Sequence, residues 1–282
     1  MTAPLTKILV VTKPGDDSAI SIRKEIVAFL RSRGVDAQWC EHRVDAEVGE
    51  CVPDRCDLVV ILGGDGTFIG VARRLHGLGA PFMGVNLGRV GFLAQLHRDH
   101  WREWFATALA DGFDVSRRLV LEYDVLRRGE TVHHGLIVND LVVSRGELAR
   151  LIRLSVAFDG MEISTLRADG LIVSTPSGSS AYGVSAGGPL VHTGLGAYCV
   201  TPVCPFLNSF KPMVFPADGV TSVRVEEAAG AVNLTEDGQS VIGLEYGDEV
   251  VLRRAEEDLS VVDFGPRAYF EKLKKNGFLT EK

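Results

Sequence analysis

The sequence predicts an α/β N-terminal domain built on a parallel sheet, followed by a β-rich, sandwich-like C-terminal domain. Two observations carry this. Up to Gly112, short apolar strands alternate with amphipathic helices, the order that crossover helices on a parallel sheet produce. Beyond Gly112 helical periodicity nearly vanishes and alternating strand patterns replace it. Taken in order, residues 7–12 (KILVVT) read as a buried strand. A helix follows, with Ile22, Ile26, Phe29 and Leu30 on one face, and it stops at Gly34. Residues 35–39 and 57–62 (DLVVIL) supply strands, 67–75 a helix and 81–85 another strand. The helix expected over 98–110 carries Trp101, Trp104, Phe105, Ala108 and Leu109 on one stripe, which reads as core. In the second domain strands are expected at 119–127, 135–144, 153–158, 171–174, 197–203, 221–225 and 250–254, with one helix beginning near Ser179. Residues 266–277 form a basic helix (Lys272, Lys274, Lys275) expected to pack back on the first domain. The expected domains are thus 1–112 with 266–282, and 113–265.

Composition narrows the function classes. The 282 residues are 46% hydrophobic, enough for one large or two ordinary cores. A net charge of −7 argues against a role in holding nucleic-acid backbones, which needs a basic face. The longest apolar run, 58–62, is far short of a membrane span, and the first residues lack an apolar signal core, so a soluble, cytoplasmic protein is expected. The five cysteines are odd in number and lack disulfide or zinc spacing, and no His-Glu-x-x-His set occurs, so no protein-bound structural metal is expected.

Two turns carry the candidate chemistry. Gly63-Gly64-Asp65-Gly66-Thr67 follows an apolar strand and opens a helix, where glycines let the backbone approach a phosphate and free N–H groups face it. It lacks the Gly-Lys-Ser/Thr of a Walker loop and the third glycine of a dinucleotide fingerprint. Asp65 in its middle would be repelled by phosphates and therefore needs a reason. Either it accepts a hydrogen bond and a proton from an attacking hydroxyl, or holds Mg²⁺ between phosphates, or it merely caps the helix. For an isolated Gly-Asp-Gly the cap is the commoner reading, and the second turn shifts the balance. That turn, Thr175-Pro176-Ser177-Gly178-Ser179-Ser180-Ala181-Tyr182, offers the Ser177, Ser179 and Ser180 hydroxyls to ribose and phosphate oxygens and the Tyr182 ring to a base. The alternative is a serine-rich helix cap, which would need only one hydroxyl. Asn139-Asp140 interrupts an apolar strand, and an amide beside a carboxylate suits the two hydroxyls of a ribose, although a plain strand edge reads the same way. Asp169, two residues after Arg167, sits at the mouth of the strand over 171–174. Asp237-Gly238 reads as a hairpin turn.

With these residues assembled, the chain resembles the NAD kinase family over most of its length. The motifs are GGDGT (63–67), GVNLGRVGFLA (84–94), ND (139–140), RADG (167–170), TPSGSSAY (175–182), SAGGP (185–189), TPVCP (201–205) and EDGQ (236–239). GGDGT alone is shared with lipid kinases and phosphofructokinases; TPSGSSAY in this company is far more specific. The resemblance implies NAD bound between the two domains, often across a subunit interface, in a homodimer or homotetramer. It also implies phosphoryl transfer from ATP, or inorganic polyphosphate, with Mg²⁺, to the 2′-hydroxyl of the adenosine ribose. By the same resemblance Asp65 is the proton acceptor, with Gly64, Gly66 and Thr67 as its phosphate-contacting neighbours. Asn139, Asp140, Arg167, Asp169, Ser177, Ser180, Ala181, Tyr182, Gly183, Val184 and Ser185 bind NAD, with Arg150, Cys204 and Gln239 as further contacts. Five positions depart from the family's habit: Asp140 stands where glutamate is usual, Ser177 and Ser180 replace threonines, Phe206 stands where histidine is frequent, and Gly70 where some relatives carry a basic residue. The rival readings are a lipid kinase on the same GGDGT turn, which would need an apolar acceptor groove, and a dinucleotide sensor without turnover.

Overall fold

The computed structural model describes residues 4–42, 51–88, 91–146, 150–208 and 210–279. Arg89 and Val90, within the GVNLGRVGFLA motif, lie outside these. The chain divides into two compact units, Met1–Arg117 with Leu259–Lys282, and Arg118–Asp258. Among the described residues no helix is long and apolar enough to cross a membrane.

The first unit begins with β1 (Lys7–Thr12), α1 (Asp17–Ser32), β2 (Asp36–Glu41), β3 (Leu58–Leu62) and α2 (Asp65–Leu75). It continues through β4 (Phe82–Asn86), β5 (Leu96–His97), α3 (Trp101–Asp111) and β6 (Val115–Arg118). After the second unit, β7 to β18, the chain returns to it with β19 (Leu259–Val262) and, following the single-turn α4 of the second unit, the helix α5 (Pro266–Lys275). The strand order is β2-β1-β3-β4-β19-β6, with β5 also paired to β4. The pairs β1–β2, β1–β3, β3–β4, β4–β5 and β4–β19 are all parallel. Parallel strands lie under helices on both faces, which is why LVVIL in β3 and FMGVN in β4 are buried at every position. The N-terminus of α1 is fixed by Asp16, whose carboxylate accepts the Ala19 N–H at 3.0 Å, a cap worth about 1 kcal/mol. The aromatic stripe of α3 goes where its spacing indicates: Trp101, Phe105 and Ala108 are in the core, with Trp104 and Leu109 packed against it.

The second unit is two six-stranded sheets enclosing one apolar core. One has the order β11 (Met161–Ala168), β10 (Ile152–Phe158), β15 (Thr221–Glu227), β18 (Glu249–Arg254), β7 (Leu121–Arg127) and β8 (Glu130–Ile137). The other runs β14 (Met213–Pro216), β13 (Ala197–Val203), β12 (Gly170–Ser174), β9 (Asp140–Arg145), β16 (Val232–Glu236) and β17 (Ser240–Leu244). Period-two alternation places Tyr123, Val125, Leu154, Val156 and Val223 of the first against Leu141, Val143, Leu171, Val173 and Val200 of the second. In β12 all five residues are buried, so the residues of this strand that point away from the core are covered as well.

Several elements differ from expectation: β5, β6, β11, β14, β16, β17 and β19 are strands that the sequence pattern does not indicate, and three further differences bear on the site and the domains. Residues 135–144 form two strands, β8 and β9, in different sheets. The cause is Asp237, whose carboxylate accepts the N–H groups of Val138, Asn139 and Asp140 at 3.1, 2.7 and 3.0 Å and takes them out of any ladder. The helix near Ser179 is two separate single turns, a 3₁₀ turn at Gly178–Ser180 and α4 (Tyr182–Ser185), separated by Ala181 at φ −92°, ψ −118°. Residues 259–262, expected in the second domain, are β19 of the parallel sheet.

Candidate active site

In the first unit β3 ends at Leu62 and α2 starts at Asp65, so the two glycines form the whole strand-to-helix connection. The N-cap of α2 is Gly64, which has no side chain to cap it, and Asp65 is the first residue of the helix proper. Its carboxylate reaches instead to the 91–94 turn, where Oδ2 accepts the Phe92 N–H at 2.7 Å and Oδ1 accepts those of Leu93 and Ala94 at 3.0 and 2.8 Å. The helix-cap alternative is thereby corrected. Three donors fix the carboxylate's plane, and Oδ2, which takes only one of them, keeps a lone pair for a further donor. Gly91 makes this possible, because a Cβ there would lie 2.2 Å from Asp65 Oδ1. Gly64 and Gly66 are exposed around this carboxylate, whereas Thr67 is buried.

In the second unit a cavity of about 620 Å³ opens on the outer face of the β9-containing sheet. That volume is in the range of small-molecule sites. Five of the expected binding residues meet there: Asn139, Asp140, Asp169, Ala181 and Tyr182. Asp140 heads β9 and is 6% exposed. Burial pushes its carboxyl up to about 6, opposed only by the backbone N–H of Tyr182. Asn139 Oδ1 is buried and meets no donor among the described residues. The Tyr182 ring is half exposed beside them. Asp169 is paired with the Arg145 guanidinium, which also lines the cavity. The wall is therefore rich in hydrogen-bond acceptors, a match for sugar hydroxyls and amides more than for a phosphate chain.

The TPSGSSAY turn serves this cavity mainly by its backbone. Thr175 Oγ1 donates to the Val138 carbonyl at 2.7 Å and accepts the Gly178 N–H at 3.1 Å. Ser179, 2% exposed, donates to the Pro176 carbonyl at 2.8 Å and accepts the Val191 N–H at 3.0 Å. Ser180 Oγ lies 3.4 Å from the Ser177 carbonyl, and Ser177 is itself buried. The expectation that a row of free hydroxyls faces a ligand is corrected for Ser179: its bonds build the turn. Gly178 is required by closeness, since a Cβ there would fall 2.0 Å from the Asn139 carbonyl oxygen. The turn thus lies directly on the Asn139-Asp140 corner.

The remaining expected residues line other ground. Gly183 is buried against Ser174, while Val184 and Ser185 complete α4. Arg167 is exposed on β11 of the other sheet, and Arg150 is exposed just before β10. Cys204 is exposed, with φ 46°, directly after β13. Gln239 follows the hairpin turn, its N–H on the Glu236 carbonyl at 2.8 Å. Two charged residues of the cavity wall, Arg145 and Asp237, lie outside the expected set. Arg145 ends an apolar strand, a signal that was available; the Asp237 carboxylate holds the 138–140 corner, and nothing local in the sequence announces that.

Comparison with known proteins identifies the family. The ATP-NAD kinase N-terminal domain matches residues 36–113 and the ATP-NAD kinase C-terminal domain residues 138–264. The NAD kinase of Nitratidesulfovibrio vulgaris (strain DSM 19637 / Miyazaki F) is 44% identical over 281 residues, covering 100% of this chain and 99% of the relative. That of Geobacter sulfurreducens is 36% identical over 276 residues, with 96% and 97% coverage. The fold is that of a yeast NADH kinase complexed with NADH, with TM-score 0.85 and 22% identity over 99% of this chain and 89% of that one. It is also that of an Archaeoglobus fulgidus NAD kinase in complex with ATP, with TM-score 0.75 and 24% identity over 98% and 100%. With both domains matched and relatives of this identity aligned end to end, the chain belongs to the ATP-NAD kinase family.

Proposed function

We infer that this chain is an NAD kinase, transferring the terminal phosphoryl group of ATP to the 2′-hydroxyl of the adenosine ribose of NAD to give NADP. The end-to-end identity with NAD kinases carries the reading. The buried, unpartnered Asn139 Oδ1 beside the Asp140 carboxylate supports its substrate half, because together they accept the hydroxyls of a ribose. Tyr182 offers a flat face to the adenine. Asp65 accepts the hydrogen bond of the attacking 2′-hydroxyl through its remaining Oδ2 lone pair. A carboxylate is a weak base toward a sugar hydroxyl, so the proton moves to it late, as the new P–O bond forms. The backbone N–H groups at the start of α2 face the donor's phosphates. Among the described residues no three His, Cys, Asp or Glu side chains converge on one point. Mg²⁺ carried on the donor's phosphates would neutralise charge there. A homo-oligomer in the cytoplasm, and polyphosphate as an alternative donor, complete the proposal.

The test is an assay of purified protein with Mg²⁺, ATP and NAD or NADH, product being followed by an NADP-specific dehydrogenase, with a parallel series in polyphosphate. Steady NADP formation supports the reading. NAD binding without product would leave a dinucleotide sensor in its place.

A further inference from the structure

One peptide group links the last helix of the chain to Asp65. The Phe92 carbonyl and the Leu93 N–H are its two ends. Lys272 Nζ of α5 donates to the Phe92 carbonyl at 3.2 Å, joined there by Gln95 Nε2 at 3.1 Å. The Leu93 N–H donates to Asp65 Oδ1 at 3.0 Å. Lys272 is only 8% exposed, an unusual state for a lysine, and its neighbours Lys274 and Lys275 are exposed. Just past the same helix the Phe278 ring meets the Phe92 ring, centroids 6.0 Å apart.

We propose that Lys272 is a positioning residue for phosphoryl transfer, a cation from the C-terminal helix that sets the Asp65 carboxylate through the 91–94 turn. Its charge at the carbonyl end polarises the peptide and strengthens the N–H at the other end, where Asp65 accepts it. Phe278 holds the same turn by its ring, so α5 grips the turn at a polar and an apolar point. Lys272 touches no reacting atom; it fixes the direction in which the free lone pair of Oδ2 points. The role assigned to Asp65 rests on the reading above, whereas the grip on the turn is a property of the fold alone.

The full chain is compared as wild type, Lys272→Met, Lys272→Arg, Phe278→Leu and Lys275→Met. Two quantities are measured: kcat and KM for NAD at saturating ATP and Mg²⁺, and hydrogen exchange of the Phe92, Leu93 and Ala94 amides. Lys272→Met is expected to lower kcat roughly tenfold, since small misalignments of a reacting group cost that much or more. KM should stay within about twofold, the pattern of an interaction realised only in the transition state. Exchange at 92–94 should accelerate while β3 and β4 stay protected. Lys272→Arg should recover most of kcat, and Lys275→Met should match wild type. If Lys272→Met does not fold, Phe278→Leu tests the same grip and should accelerate exchange at 92–94. Unchanged kcat and exchange in Lys272→Met, a rise in KM alone, or an Arg variant as slow as the Met variant overturns the proposal. A wild type without NADP formation whose Met variant still releases the 92–94 amides refutes the kinase reading and leaves the grip standing. An active wild type with an indifferent Met variant does the reverse.

Discussion

At the scale of single residues, two carboxylates are held in opposite ways. Asp65 is ringed by backbone N–H donors and Asp140 is buried with one. Asp65→Asn keeps the shape and loses the proton acceptor, so kcat should fall by at least about 10²-fold, the scale of a lost general base, with an unchanged circular dichroism spectrum. Gly91→Ala pushes a methyl group onto Asp65 Oδ1 and should lower kcat by a similar factor with little change in NAD affinity, read by calorimetric titration. Asp140 predicts a pH dependence. Its carboxyl is raised to about 6, so the folded protein holds this proton longer than the unfolded chain. This group therefore favours folding while protonated, and that contribution is lost as pH rises through about 6. Binding runs the other way, because a ribose hydroxyl donates to the ionised form. NAD affinity should weaken as pH falls below about 6, and Asp140→Asn should flatten that profile. These residues were legible as residues: short motifs name Asp65 and Asp140. Their partners were not, because the donors to Asp65 come from the 91–94 turn and the burial of Asp140 comes from the packing of the 175–191 segment.

Between elements, the Asp237 carboxylate decides the most. Positive φ at Asp237 and Gly238 makes the β16–β17 hairpin turn, as the dipeptide indicates. The same side chain takes the three N–H groups that end β8 and start β9 in the other sheet. Asp237→Ala leaves those donors unpaired and should destabilise the protein by about 2–4 kcal/mol, the scale of several lost charge-assisted hydrogen bonds, seen as a lower denaturant midpoint. It should also raise KM for NAD, since Asn139 and Asp140 sit on the corner it holds. Periodicity located most strands and every long helix, because burial on one face writes period 2 or 3.6 into the residues. It missed the break at Val138–Asn139, where the sequence stays apolar and the cause lies far along the chain. The serine-rich turn misled for a related reason: hydroxyl count measures supply, and here Thr175 and Ser179 spend theirs on the turn's own backbone.

For the molecule as a whole, connectivity separates the two units sharply. The second is a single stretch, Arg118–Asp258, with its own core, whereas the first is assembled from both ends of the chain. Its late strand β19 lies between β4 and β6 in the sheet order, an interior place. A fragment of residues 118–258 should therefore unfold cooperatively by circular dichroism, while a fragment of residues 1–117 should not. Adding 259–282 in trans should restore helical signal to the latter. The parallel-sheet class of the first unit was readable from its alternating strands and helices, but the return of β19 was not, since the four residues Leu-Ser-Val-Val read the same in either sheet.

That interior strand reverses the usual order of events on the ribosome, where the amino-terminal domain commonly folds first. Here the nascent amino-terminal segment must wait with a gap in its sheet while the sandwich, translated later, closes ahead of it. The first unit becomes complete only when residues 259–262 leave the exit tunnel, so its sheet stays open between β4 and β6 until the whole of the second unit has been made.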